Sequence, residues 1–293
     1  MSLKPERFEY HIQVLYLGVN MKSIRFLATM LCCLGFSAPA MAAEEIVING
    51  STTVLPVIQK VAENYMAITP GVALVISGGG SGNGVKALTD GLCQIAMSSR
   101  DMKANEVELA ESKGVKPYRI PVAVDALLPI VHPSNGVQAL SLEQLRDIYA
   151  GKITNWKEIG GMDRKITIIS RDTSSGTYET WEEKVMKKER VTPAALLQAS
   201  NGAVVQAVSK NPNAIGYIGF GYTDKSIKGL DIGAIKATPE IALAGTWPIA
   251  RELYLFTNGE PAGEIKKLMD YVLDPQKGQK AVAEIGFIPL PKK

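Results

Sequence analysis

Short apolar runs alternate with helix-period runs along most of the chain, and this alternation predicts an α/β fold. Three β-branched runs, at 46–48, 72–76 and 166–169, indicate buried strands. Each is followed by a polar or glycine-rich stretch and then by a segment with the apolar spacing of a helix. This repeated unit of strand, loop and helix is typical of mostly parallel sheets that are covered by helices.

Two further apolar segments predict how the chain divides. Residues 122–131 form an apolar run between two prolines, interrupted only by Asp125, and this predicts a buried strand that crosses between two lobes. Residues 253–256 are a second candidate crossing strand, and no flexible linker separates the two halves. The lobes are therefore expected to be 43–124 with 254–293 (lobe 1) and 125–253 (lobe 2).

The first 42 residues have the pattern of an export signal. A basic segment at 21–25 precedes an apolar run at 26–36 that is too short to span a bilayer, and small residues follow it. The pattern predicts a signal peptide that is cleaved after Ala42, with 1–20 as an upstream extension. We therefore expect an exported protein.

Charge and cysteine content narrow the class of protein once this segment is removed. The formal net charge is +3, and it becomes +1 without the four basic and two acidic residues of 1–42. This balance gives no reason to expect a nucleic acid as partner. Two of the three cysteines lie in the predicted signal peptide, so Cys93 has no intrachain partner for a disulfide. We expect Cys93 to be an inert, buried residue.

Three strand-to-helix loops carry the candidate chemistry: 50–53, 80–84 and 174–177, the last with Arg171 just upstream. Each combines hydroxyl groups with a helix N-terminus, where unpaired N–H groups and about half a positive charge attract anions. The guanidinium of Arg171 matches the geometry of an oxyanion. Taken singly, such loops are more typical of helix N-caps and such an arginine of a surface ion pair. Their conjunction favours a site for a small oxyanion that needs no metal and no cofactor.

Several segments are specific when they are taken together: GSTTVLP at 50–56, GSGNGVK at 80–86, IAMSSR at 95–100, RDTSSGT at 171–177 and GFIPL at 286–290. With these segments the chain resembles the phosphate-binding periplasmic component of the phosphate-specific ABC importer, in its shorter form. The resemblance covers essentially the whole chain after residue 42.

The resemblance implies a type II periplasmic binding protein fold, with two lobes, each a mostly parallel sheet flanked by helices, joined by two hinge strands. It implies a monomer that binds inorganic phosphate and delivers it to an ABC permease with its ATPase in the inner membrane. Hydroxyl and N–H groups of the loops would surround the anion, and Arg171 would supply the charged contact. The phosphate-binding residues implied by position are Ser51, Thr52, Thr53, Ser81, Ser99, Arg171, Ser175, Gly176 and Thr177.

One position departs from the family pattern. Better-known members have an Asp where this chain has Ser99, and that Asp accepts the proton of phosphate and repels fully ionised sulfate. A serine hydroxyl can accept a hydrogen bond, but it supplies no repulsive charge. Asp101 and Asp125 are the alternative sources of a carboxylate. Binding of sulfate, molybdate or tungstate therefore remains open, as does a secreted interaction protein that kept the fold.

An enzyme is the competitor from a different class, and the sequence disfavours it. After residue 42 the chain has His132 as its one histidine, and it has no nucleophile elbow and no phosphate-binding lysine loop. No cluster of Cys and His offers a metal site. A Gly-x-Gly-x-x-Ala pattern at 82–87 fits a dinucleotide fingerprint, but that motif alone is a weak signal. We therefore expect a binding protein with no catalytic residues.

Overall fold

The computed structural model describes residues 44–236, 238, 240–241 and 244–291. The predicted upstream extension and signal peptide lie outside the described residues.

The strands form two connected sheets. Their bounds are β1 Glu44–Gly50, β2 Val72–Gly78, β3 Ile95–Ser98, β4 Pro117–Val131, β5 Ala139–Leu140, β6 Thr167–Arg171, β7 Leu196–Gln198, β8 Ala214–Gly219, β9 Lys228–Gly229, β10 Asp231–Ile232 and β11 Ala250–Asn258. The order across both sheets is β2-β1-β3-β11-β4-β8-β6-β7, with β9 added beside β4, and β5 pairs separately with β10. Strands β1, β2 and β3 are parallel to one another, and so are β6, β7 and β8.

The α-helices of the described residues lie between the strands and after the last one. Their bounds are α1 Leu55–Ile68, α2 Ser81–Thr89, α3 Ala104–Ser112, α4 Leu142–Tyr149, α5 Gly176–Lys184, α6 Asn201–Ser209, α7 Gly263–Leu273 and α8 Gly278–Glu284. Two short 3₁₀ helices lie at Trp156–Ile159 and Phe220–Tyr222. No helix in the described part of the chain is long and apolar enough to cross a membrane.

Strand β4 crosses between the two sheets, as its continuous apolar run predicts. Its first part pairs with β11, and its last five residues, Leu127–Val131, pair with β8. The second predicted crossing strand behaves differently, because β11 pairs only with β3 and β4 in the first sheet. It therefore enters the first sheet at the junction and adds no strand to the second.

Each sheet has its own hydrophobic core, which confirms the α/β fold with two lobes. Ile48, Val61 and Leu255 belong to the core of lobe 1, and a smaller cluster around Cys93 packs on the other side of that sheet. In lobe 2 the rings of Trp181 and Tyr217 stack with centroids 4.2 Å apart. Cys93 is buried, as expected, and burial raises the pKa of its thiol to about 11. The predicted residue boundaries of the lobes remain a prediction.

Two helix bounds differ from the sequence pattern. The apolar spacing predicts a helix that begins at Val85, but the helix already begins at Ser81, because Gly80 adopts a φ of 103° and serves as its N-cap. The pattern after the third loop predicts a helix from Tyr178 to Lys188, but that helix ends at Lys184. Lys187 and Lys188 have φ angles of 51° and 68°, in the left-handed region that ends a helix.

The parallel strands bring their carboxyl ends to the junction of the lobes. Strands β1, β2 and β3 end at Gly50, Gly78 and Ser98, and β6 ends at Arg171. Ligands of open α/β sheets bind outside these carboxyl ends. The fold therefore places all three predicted loops at the region where a ligand is expected.

The close packing of α2 on β1 requires glycine at residue 84. A methyl group on Gly84 would lie 2.6 Å from Gly50 Cα and 2.7 Å from Asn49 O, and these backbone atoms cannot move aside locally. We expect Gly84→Ala to lower the free energy of unfolding in urea by about 1–3 kcal/mol. Gly136→Ala is the control, because the exposed Gly136 has nothing within 4 Å of the added methyl group. Equal stability of the two variants would contradict this packing.

Candidate anion-binding site

The three predicted loops meet at the junction of the lobes. Thr53 Oγ1 from lobe 1 lies 3.0 Å from Thr177 Oγ1 of lobe 2. Ser81 Oγ lies 3.3 Å from Ser99 Oγ. A methyl group on Gly176 would lie 2.4 Å from Ser81 Oγ and 2.7 Å from Ser99 Oγ, so the third loop closes directly over the second. All nine predicted residues are buried.

Two of the predicted hydroxyl groups also accept hydrogen bonds from backbone N–H groups close to the start of a helix. Ser51 Oγ accepts hydrogen bonds from the N–H groups of Thr53 at 3.1 Å and Val54 at 3.4 Å. Ser175 Oγ accepts one from Tyr178 N at 3.3 Å. Ser175 is therefore the N-cap of α5, and Ser51 stabilises the turn before α1. The N–H of Thr53, which the resemblance assigns to the anion, is already donated to Ser51.

Helix N-termini contribute N–H groups to the same place. Ser81 begins α2, and Gly176 and Thr177 begin α5, so helix geometry leaves their N–H groups without a carbonyl partner four residues earlier. The N–H of Gly82 donates to the carbonyl of Ser174 at 2.9 Å and ties the loops of the two lobes together. Each helix end adds about half a positive charge to the site.

Arg171 is a buried cation and not a surface ion pair. It is 1% exposed, and its Nε and Nη2 donate to the carbonyls of Gln198 at 2.8 Å and Ala199 at 3.0 Å. Its Nη1 is buried without a hydrogen-bond partner, and among the described residues no carboxylate lies within salt-bridge distance of this guanidinium. Burial is the main cause that lowers the pKa of Arg171. The negative charge of Asp172 offsets part of this shift, and the positive charge of Arg251 adds to it. This arrangement calls for an anion.

A second buried cation, Arg251, lies behind the hydroxyl groups. Its Nε and Nη2 donate to Asp125 Oδ2 at 3.0 and 2.8 Å. The same Nη2 lies 3.2 Å from Thr53 Oγ1 and 3.0 Å from Thr177 Oγ1. Burial raises the pKa of Asp125 and lowers that of Arg251, and each charge partly offsets the shift of the other. Asp125 neutralises Arg251, whereas Arg171 has no ion-pair partner among the described residues.

Asn201 completes the back of the site. Its Nδ2 donates to Thr52 Oγ1 at 3.2 Å and Thr53 Oγ1 at 3.0 Å. Asn201 is the first residue of α6 and follows β7, so its loop is a fourth strand-to-helix loop of the predicted kind.

Asn201 and Arg251 are not among the site residues predicted from the sequence, although both leave a signal. Polar residues and Gly202 stand between β7 and the apolar positions of α6, as in the other three loops. Arg251 is a charged residue at the entrance to a predicted buried strand. A buried arginine needs a partner, and Asp125, which interrupts the other predicted crossing strand, is the partner that the structure supplies.

Neither alternative carboxylate is free to replace the Asp that the family pattern expects at residue 99. Asp101 is half exposed and pairs with Arg119 on the surface. Asp125 accepts from Arg251 and, through Oδ1, from the N–H of Phe220 at 2.9 Å. In the described part of the chain no group of three or more His, Cys, Asp and Glu is arranged to hold a metal ion. The side chains collected here can therefore hold a small anion by hydrogen bonds and one full charge.

This fold and site define a two-lobe binding protein. A family model described as a PBP superfamily domain matches residues 37–276. The chain is 33% identical over 251 residues to the phosphate-binding protein PstS of Bacillus subtilis, a match that covers 85% of this chain and 82% of the relative. It is 32% identical over 266 residues to PstS of Pseudomonas aeruginosa strain PAO1, covering 83% of this chain and 82% of the relative.

Solved structures agree with these matches. A putative phosphate ABC transporter substrate-binding protein from Clostridium perfringens, with bound phosphate, superposes with a TM-score of 0.79 at 35% identity, over 85% of this chain and all of that one. An ABC-type phosphate transport receptor from Vibrio cholerae gives a TM-score of 0.69 at 31% identity, over 84% of this chain and all of that one. The chain therefore belongs to the PstS family of phosphate-binding proteins within the PBP superfamily.

The burial of the Asp125–Arg251 ion pair leads to a prediction about the stability of the protein. We expect Asp125→Asn to lower the free energy of unfolding by about 3 kcal/mol or more, because it leaves a buried guanidinium without a compensating charge. Denaturation in urea at neutral pH measures it. Asp101→Asn is the matched control, and loss of that half-exposed pair with Arg119 should cost under about 1 kcal/mol. Similar losses in both variants would contradict the role of the buried pair.

Proposed function

We propose that this protein captures inorganic phosphate in the periplasm and delivers it to an ABC permease with its ATPase. The observation that carries this proposal is the guanidinium of Arg171, which is buried without a carboxylate partner among the described side chains. An unpaired charge is costly in such a place. Hydroxyl groups and first-turn N–H groups lie at the same junction, so a small oxyanion would satisfy the whole set.

The relatives support phosphate as that oxyanion. The curated relatives from Bacillus and Pseudomonas are named phosphate-binding proteins, and the Clostridium structure holds phosphate. The residues proposed to contact it are those expected from the sequence, with Arg171 as the charged contact and Thr52, Ser81, Ser99 and the 175–177 loop around it. The first-turn N–H groups of α2 and α5 complete this shell.

Binding by closure of the lobes, without catalysis, accounts for the contacts across the junction. Arg100 Nε of lobe 1 lies 2.7 Å from Glu179 Oε2 of lobe 2, and Lys103 Nζ lies 2.9 Å from the same oxygen. The Gly82–Ser174 hydrogen bond spans the same gap. These contacts must break when the lobes separate, so release of phosphate to the permease would follow hinge opening. We propose that the protein acts as a monomer.

A second candidate ligand follows from Ser99. Because Asp101 and Asp125 are engaged elsewhere, neither offers a carboxylate to the proton of phosphate or sets one against a fully ionised anion. Sulfate, molybdate or tungstate would need hydrogen-bond donors only. The names of the relatives favour phosphate over these anions.

Loss of the charged contact tests the site. We expect Arg171→Ala to weaken phosphate binding by about 2–5 kcal/mol, which is roughly thirtyfold or more. Calorimetric titration of protein that has been unfolded and refolded, to strip carried-over ligand, measures the dissociation constant. Arg164→Ala is the control, because that side chain is exposed. An Arg171→Ala affinity within about threefold of wild type, under roughly 1 kcal/mol, would show that the site is wrong.

Competition between phosphate and sulfate tests which oxyanion the protein binds. We expect the stripped protein to bind phosphate tightly and excess sulfate to leave that binding unchanged, with Ser99 Oγ accepting the proton of phosphate. Titration with phosphate in the presence and absence of sulfate measures this. Tight binding of sulfate or molybdate, with phosphate ignored, would keep the site but replace the ligand. No heat with any of these oxyanions would favour a secreted interaction protein.

A further inference from the structure

The hydroxyl groups at the junction have a direction that the surrounding side chains impose. A threonine hydroxyl has one hydrogen to donate and two lone pairs that accept, so its neighbours decide where the hydrogen points. An anion can accept only, and it is held only by hydroxyl groups whose hydrogens point toward it. The direction in which the hydroxyl hydrogens of Thr52, Thr53 and Thr177 point therefore determines whether these groups can hold an anion.

The amide of Asn201 is fixed in one orientation. The N–H of Gly219 lies 3.2 Å from Asn201 Oδ1, and because a backbone N–H only donates, that side of the amide must be the oxygen. The opposite side, Nδ2, then faces Thr52 Oγ1 at 3.2 Å and Thr53 Oγ1 at 3.0 Å. Both hydroxyl oxygens accept from Asn201, so both hydrogens must point elsewhere.

Arg251 imposes the same direction from the other side. A guanidinium has no acceptor. One N–H of Arg251 Nη2 is held by Asp125, so the second can only donate, and Thr53 Oγ1 and Thr177 Oγ1 share it. Asp125 holds this guanidinium through Nε and Nη2 and prevents it from turning toward the anion.

The threonine hydrogens are directed as a consequence. Thr53 Oγ1 accepts hydrogen bonds from Asn201 and Arg251, so its own hydrogen is left for Thr177 Oγ1 at 3.0 Å or for the anion. Thr177 Oγ1 accepts a hydrogen bond from Arg251 and has its own hydrogen left to donate. Thr52 Oγ1 accepts one from Asn201 and also has its hydrogen left to donate.

We infer that Asn201 and Arg251 are positioning residues that form a layer of donors behind the site. They turn the hydroxyl hydrogens of Thr52 and Thr177 toward the bound oxyanion, and that of Thr53 toward the anion or toward Thr177, which then donates to the anion. The inference rests on the proposed function, because it describes how that same site holds its anion. Asn201 touches Thr52 and Thr53, and its effect on affinity passes through their hydroxyl groups.

Two substitutions at residue 201 separate the effect of the Asn201 amide on hydroxyl direction from the effect of its shape on packing. Asn201→Ala removes the donor and leaves the hydroxyl groups free to rotate, and we expect about tenfold weaker phosphate binding, as for one lost hydrogen bond. Asn201→Asp keeps the shape and the bond from Gly219, but its carboxylate draws the threonine hydrogens away from the anion. We expect roughly a hundredfold loss or more, from reversed hydroxyl groups and an added buried charge. Asp better tolerated than Ala would contradict the direction that Asn201 is inferred to impose.

A double-mutant cycle removes the contribution of the added charge. In a Thr52→Val, Thr53→Val background no hydroxyl group remains for Asn201 to direct, so adding Asn201→Ala should weaken phosphate binding by less than about twofold. If Asn201→Ala costs the same factor in both backgrounds, Asn201 acts through packing and the inference is overturned. Circular dichroism of each variant verifies that it is folded, and the cycle does not depend on Asn201→Asp folding.

The wild-type titration distinguishes the two levels of the proposal. Phosphate binding by wild type together with an Asn201→Ala affinity within about threefold of it overturns this inference alone. If wild type binds sulfate and not phosphate, the proposed ligand is wrong, and the same series with sulfate still supports or overturns the inference. If wild type binds no oxyanion, both are overturned.

Discussion

A buried ion pair at the junction of the lobes holds the binding region in register. Asp125 lies in the middle of β4, which passes from one sheet to the other, and Arg251 lies at the start of β11, which enters the first sheet. The guanidinium also donates to the carbonyl of Gly176 at 3.2 Å and to Thr180 Oγ1 at 3.3 Å on α5. Strand, hinge and helix N-terminus are thus fixed to one another, at the cost of two desolvated charges that must remain paired.

The charge left over by this pair determines what the junction can hold. Arg171 is tethered by two backbone carbonyls, which orient its guanidinium without neutralising it. The remaining neutralisation comes from an anion, from helix N-termini and from oriented hydroxyl groups. The donors of such a site are oriented before the ligand arrives. Binding therefore costs little free energy in reorganising the protein around the anion. This explains how a nearly neutral protein can concentrate a small anion.

Local periodicity predicted the strand, loop and helix units, because a buried strand and an amphipathic helix each leave a regular apolar pattern. It also placed the loops on the site, since parallel strands bring their carboxyl ends to one edge. The same periodicity placed the end of α5 too late, because apolar Val185 and Met186 continue the helical pattern although the chain turns at Lys187. It also missed Asn201, because a single polar residue at a helix start is indistinguishable from an ordinary cap.

The sequence by itself determined the alternation of elements, the crossing strand, the family and the three loops with their arginine. These features depend on residues that are close together in the chain. Tertiary structure alone decided that Arg171 is left without a carboxylate among the described residues, that Arg251 pairs with Asp125, and that Asn201 faces Thr52. The reason is distance along the chain: 126 residues separate the ion pair and 149 separate Asn201 from Thr52. Only packing of the two lobes brings such partners into contact and fixes which way each hydroxyl group points.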